Sequence, residues 1–252
     1  MILAFATTAS AGTITFFDGG PFTNSSTCAP GVWCGSQVAS SGVTTSSFAF
    51  TNRSSGGAAN DSANRGDGLH KAWEKDTHSF DSTGAAGMRF LNINAAYTFT
   101  GSFASLSYSY NLQDSGSLNV GYSIAIVQNG NVYTSSPLDV VTPNDLTWSA
   151  NGVFGMTNLS ASSFLLVNSD LSLGAALPAF SGTMEFGYLV ANSDTTGGPR
   201  SYVSGIDNWS VTLNNAAPEP SSIALCCVGG LLYAVSRLRR RGPKSVTVRI
   251  SA

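Results

Sequence analysis

The chain has 252 residues, of which only 10% are charged, and a formal net charge of −2; globular chains usually carry about 25% charged residues. That small net value hides an acidic body, with thirteen acidic and six basic side chains between residues 12 and 217, and a basic end, with six basic and no acidic side chains from 237 to 252. An acidic body lacks the basic footprint that nucleic acid requires, so nucleic acid is excluded as a partner.

The opening "MILAFATTASAG" holds an apolar stub, Ile2 to Ala6, and Ala9-Ser10-Ala11 has the A-x-A form of a signal-peptidase site. Residues 1–11 therefore read as the remnant of a signal peptide whose longer part lies upstream of Met1. "TITFF" follows as a first strand. Cys28 and Cys34 then frame "CAPGVWC", where Pro30 and Gly31 permit the turn that closes a small loop. In an oxidising compartment the expectation is a Cys28–Cys34 disulfide. No second pair sits at ligand spacing, which argues against zinc.

"SSFAF" reads as another strand. "NDSANRGDG" offers oxygen ligands at Asp61, Asn64 and Asp67. It lacks the bidentate Glu and the spacing of a calcium loop, so it reads as a polar loop. In "GLHKAWEKDTH" a helix would place His70, Glu74 and His78 on one face. The segment is short, Gly-flanked and densely charged, so it reads as a solvated surface turn. No metal and no cofactor is expected.

From there the dominant period is two. "MRFLNI", "YTFT" and "SFASLSYSY" are strands. In "LNVGYSIAIV", Leu118, Val120, Tyr122, Ile124 and Ile126 share one face, with Asn119, Gly121 and Ser123 on the other, as in a half-buried strand. Asn129-Gly130 marks a tight hairpin into "NVYT". "SSFLLV", "MEFGYLV" and "DNWSVTL" complete the set, separated by turn clusters such as "TPND", "LPAFSG" and "SDTTGGP". Many short antiparallel strands with polar outer faces imply an all-β sandwich or barrel over residues 12–214.

Enzyme chemistry finds no anchor in this pattern. Ser123, in "GYSIA", lies within a clean alternating run, whereas a nucleophile elbow needs a strand-to-helix turn. The acidic residues offer pairs for a glycoside hydrolase, but nothing selects one. A non-enzymatic structural or adhesive body is expected. A carbohydrate-binding module is the first alternative and a secreted glycoside hydrolase the second. Trp33, Trp73 and Trp148 are candidate sugar-stacking platforms, and Trp209 is better placed in the core.

From Pro220 to Ser236 there are seventeen residues without a formal charge. As a helix they would cover about 25 Å, within the lower range for a membrane span. Arg237, Arg239, Arg240 and Arg241 follow at once, and such a cluster marks the cytoplasmic side. The expectation is a single C-terminal transmembrane helix with the body outside the cytoplasm. Pro218 and Pro220 keep the chain before it extended, because neither donates a helix hydrogen bond.

Pro218-Glu219-Pro220, an apolar span and an Arg-rich end together resemble the PEP-CTERM sorting signal of bacterial exported proteins. The resemblance covers residues 217–242. It implies a sorting signal over 215–242 and a basic cytoplasmic tail over 243–252. It also implies export, transient membrane anchoring, and cleavage by an exosortase-type membrane enzyme. The destination would be the cell surface or extracellular matrix, where polysaccharide is a further candidate partner. "SYVSGIDNWSVTL" resembles the last strand of jelly-roll domains found among PEP-CTERM proteins and carbohydrate-binding modules. That resemblance implies a jelly-roll-like sandwich whose first and last strands pair. "TITFFDGG" would then lie beside "IDNWSVTL", and Asp18 and Asp207 could share a calcium ion.

Overall fold

Period-two sequence becomes strand nearly everywhere in the described residues. The structure is a computed structural model, and it describes residues 12–18, 30–54, 72–114, 119–141 and 154–215. The strands are β1 (Thr13–Asp18), β2 (Trp33–Ser54), β3 (Ala72–Ser102), β4 (Ser105–Asp114), β5 (Val120–Gln128) and β6 (Asn131–Ser135). They continue as β7 (Asp139–Val141), β8 (Phe154–Leu159), β9 (Phe164–Val167), β10 (Leu173–Gly174), β11 (Ser181–Asp194) and β12 (Arg200–Asn214). Every pairing is antiparallel. Residues Thr13–Asn215 form one compact unit. The all-β, sandwich-like class expected from the sequence is the class observed.

The strands are not all short, however. β2 and β3 run for 22 and 31 residues and pair along nearly their whole length, from Trp33↔Asn94 to Ser54↔Ala72. On the other edge of β3, β11 follows it from Ser102 to Ala86, and β12 continues from Phe80 to Glu74. This ribbon belongs to both layers of the sandwich. β4 and β8 extend it beside β12, while β5, β6, β9 and β10 extend it beside β11. A strand that serves two layers must bend, and bulges and glycines are the usual means. The bend falls where β2 shifts register between Gln37 and Thr45. Gly42 there has φ +70°, and a Cβ on it would lie 2.3 Å from the Ala85 carbonyl oxygen. Only glycine fits that position. β3 runs unbroken through "DSTGAAG", which carries no apolar rhythm across the bend and so does not read as strand from sequence.

The two layers close on an aromatic-rich core that includes Trp33, Phe90, Tyr110, Tyr122, Tyr188, Tyr202 and Trp209. Trp33 and Trp209 meet edge to face at 5.4 Å, a geometry that aromatic quadrupoles favour. The expected pairing of first and last strands is present: β1 runs beside β12 from Thr13↔Asn214 to Asp18↔Trp209. The Asn129-Gly130 hairpin is also present, with φ +52° and +77° at the two turn residues, as a type I′ turn demands.

Two local expectations need correction. The stretch around "AWEKDTH" is not a surface turn, because β3 begins at Ala72 and Asp76 and His78 are buried. Their charge density suggested solvent; hydrogen-bond partners inside the sandwich make burial tolerable instead. β5 is not half-buried either, since Ser123 and Ala125 on its second face are as buried as Tyr122 and Ile124. Cys28, Pro218, Glu219, Pro220 and the Arg237–Arg241 cluster lie outside the described residues, as does the apolar run between the last two. Among the described residues no helix is long and apolar enough to cross a membrane.

Candidate binding recess

The second face of β5 is covered because its layer curls. β9 and β2 are separated by β6, β5, β11 and β3 in the sheet. Yet the loop after β9 reaches β2 directly, where Ser40 N–H donates to the Ser169 carbonyl at 2.9 Å. Such a contact is possible only if the sheet bends around its outer face. Inside the curl a small second apolar cluster forms from Ala39, Leu91, Ala125, Val167 and Leu189. The outward faces of these strands are therefore concave and partly dry.

Beyond that cluster the curl opens into a recess of about 590 Å³. Its floor is made of residues with little or no side chain: Gly87, Gly121 and Ala191. Leu171 and Leu138 lean over two of these. A Cβ on Gly87 would come within 2.7 Å of Leu171 Cδ1, and one on Gly121 within 3.0 Å of Leu138 Cδ1. Ser41 and Asn119 add hydrogen-bonding groups. The mixture of apolar wall and a few polar groups is typical of small-molecule sites.

Arg89 is the cation of this recess. On β3 it faces Ala39 of β2 on one side and Ala191 of β11 on the other, so neither cross-strand neighbour offers an acceptor. Its Nη1 is shielded from solvent and has no hydrogen-bond partner among the described residues. Burial depresses its pKa, and among the described residues no carboxylate holds it up. Asp194, the one acidic residue among the described residues of the lining, is already occupied. It accepts from Arg200 Nε at 3.1 Å and from the Thr196 backbone N–H and hydroxyl. Nothing in the sequence singled out Arg89; its isolation depends on which residues stand opposite it.

A second polar group lies between the layers. Tyr122 O–H donates to Asp76 Oδ2 at 3.0 Å and shares a 2.6 Å hydrogen bond with Ser204. The Asn192 amide donates to His78 Nδ1, and the imidazole packs between Phe48 and Phe90. Burial raises the Asp76 pKa to about 7, against hydrogen bonds from Tyr122 and Tyr188 that lower it. Burial pushes His78 down to about 3. Both side chains are sealed from solvent, so no substrate reaches them.

The residues nominated from sequence divide accordingly. Trp33 is no sugar platform: it is fully buried, and its indole N–H donates to Asp18 at 2.7 Å. Trp209 is core, as expected. Trp148 lies outside the described residues, and of Trp73 the structure describes only its place in β3. Phe17, 59% exposed, is the one exposed aromatic ring among the described side chains, which do not include those of Phe50 and Trp73. Asp18 also accepts from Tyr97 O–H at 2.9 Å, and Asp207 accepts from the Asn208 N–H at 2.7 Å. Among the described residues no three His, Cys, Asp or Glu side chains gather as metal ligands. Asp61, Asn64, Asp67 and His70 lie outside them, while Glu74 and His78 sit on a strand instead of a helix. Ser123 is buried mid-strand beside Thr134. Cys34 is buried and carries no free thiol, and Cys28 lies outside the described residues.

No protein-family model matches the sequence, and no curated protein matches it. Among solved structures the chain is similar to the family 11 carbohydrate-binding module of the cellulosomal cellulase Lic26A-Cel5E of Clostridium thermocellum. That match has 13% identity, covers 82% of this chain and 97% of the other, and has a TM-score of 0.40. The same organism's module in complex with a β-1,3-1,4-mixed-linked tetrasaccharide matches at 14% identity over 74% and 91%, with a TM-score of 0.36. The enzymatically active domain of bacteriophage CBA120 tailspike protein 4 matches at 12% identity over 72% and 19%, with a TM-score of 0.28. Likenesses of this strength carry no functional argument.

Proposed function

We infer that the protein is an exported surface or matrix protein whose sandwich body binds polysaccharide without cleaving it. The observation that carries the binding reading is the concave recess: a glycan-sized hollow with an apolar wall, amide and hydroxyl groups, and one uncompensated cation. A non-catalytic role is supported by the chemistry of its lining. Glycosidic hydrolysis canonically uses two carboxyl groups flanking the bond, and among the described residues the recess lining has Asp194 alone, held by Arg200. Export and sorting are supported by the sequence at the C-terminus: Pro218-Glu219-Pro220, the uncharged run to Ser236, and Arg237, Arg239, Arg240 and Arg241. In this reading the membrane anchor is transient, and an exosortase-type enzyme releases the body. A Cys28–Cys34 disulfide would form in the same oxidising compartment. The test is native gel electrophoresis of the purified protein through gels that contain polysaccharide extracted from its host's matrix. Retarded migration is expected. Unchanged mobility in every such gel would leave the recess without a glycan role.

A further inference from the structure

We propose that the recess selects an anionic glycan, and that Arg89 reads the carboxylate or sulfate group of a sugar unit. This deepens the polysaccharide reading and rests on it. The argument begins with the cost of the site. A guanidinium taken from water into a partly dry hollow is unfavourable unless acceptors replace the lost water. Among the described residues the fold supplies none: Ala39 and Ala191 stand opposite, and Nη1 has no partner. The nearby carboxylate that could have served, Asp194, is bound to Arg200 and Thr196.

The surroundings sharpen the choice of ligand. Thirteen acidic residues against six basic ones make the body as a whole repel polyanions, so an anion would be drawn only where a local cation is uncompensated. Arginine presents a planar fork that matches carboxylate oxygens in bidentate fashion. Leu138, Val140 and Leu171 line the same hollow and suit the apolar face of a sugar ring, while Ser41 and Asn119 suit its hydroxyls. A glycan that carries an acid group on an otherwise neutral ring satisfies all three features together. A free small anion satisfies only the first.

Calorimetry on the purified full-length protein decides the matter with three kinds of probe: a galacturonate oligosaccharide, a sulfated oligosaccharide, and the carboxyl-reduced and desulfated counterparts of each. At least one acidic probe should bind at least tenfold more tightly than its neutral counterpart, and added salt should weaken it. Which acidic probe binds identifies the group as carboxylate or sulfate. Arg89→Gln should abolish that preference. Ala191→Glu, which places a carboxylate directly across from Arg89, should abolish it too, and decides the question should Arg89→Gln fail to fold. Equal binding of acidic and neutral probes, or a preference that survives either folded variant, overturns the anionic reading and leaves polysaccharide binding intact. Failure of every probe and of the host matrix polysaccharide overturns both.

Discussion

At the scale of single residues, Asp76 and His78 show how two buried titratable groups shape stability in opposite directions. The Asp76 carboxyl keeps its proton in the folded protein up to about pH 7, whereas the unfolded chain releases it near 3.8. Between those values the folded state holds the extra proton, so this residue makes stability fall as pH rises. His78 stays neutral in the fold down to about pH 3, whereas the unfolded imidazole takes a proton below 6.5. In that window the unfolded state holds the extra proton, so this residue makes stability rise with pH. Each slope approaches about 1.4 kcal/mol per pH unit, and between pH 4 and 6.5 they oppose each other. Urea unfolding across this range should therefore show little net trend from the pair in the natural protein. Asp76→Asn should expose a rising profile and His78→Asn a falling one. Two variants with the same profile as the natural protein would contradict this account. Arg89 is the complementary case, a charge near the surface that no neighbour among the described residues balances.

At the scale of elements, the long β2–β3 ribbon decides whether two layers can form at all. Its bend depends on Gly42, which combines a left-handed φ with a carbonyl 2.3 Å from where a Cβ would stand. Gly130 has a similar φ of +77° but open space around it. Replacing both with Ala separates backbone strain from collision. Gly130→Ala should cost about 1–2 kcal/mol, the usual left-handed penalty. Gly42→Ala should cost more, because the ribbon must also shift at its corner. Thermal melts of the two variants measure the difference; an equal loss would mean that the corner yields easily. The hairpin at Asn129-Gly130 was legible beforehand because a type I′ turn needs those residues locally. The bend was not, because Gly42 looks like any glycine in a Ser-rich stretch until Ala85 is brought against it.

At the scale of the whole molecule, the proposed function assigns separate parts to the body and the C-terminal segment. In the proposed reading the sandwich holds polysaccharide, and residues 215–242 deliver it. In that reading Pro218 and Pro220, neither of which can donate a helix hydrogen bond, would present the segment to a processing enzyme. The mass of the protein recovered from its own host should correspond to loss of the chain beyond the Pro218–Pro220 region. An intact end at Ala252 would mean a stably anchored protein, and the sorting proposal would be withdrawn.

The sequence by itself determined the all-β class, the hairpin at Asn129-Gly130 and Trp209 as core. Each of these follows from local chemistry: alternating apolar residues, turn residues with the required φ, and a large ring in an alternating run. The pairing of "TITFF" with "DNWSVTL" was implied by resemblance, and the register from Thr13↔Asn214 to Asp18↔Trp209 bears it out. Only the tertiary structure decided that Trp33 is buried, that Asp76 and His78 face inward, and that Arg89 lies between two alanines in a hollow. Those facts depend on which strands become neighbours and how far the sheet curls. Strand neighbours are set by contacts between residues far apart in the chain, such as Ala39, Arg89 and Ala191, and no local pattern in the sequence records them.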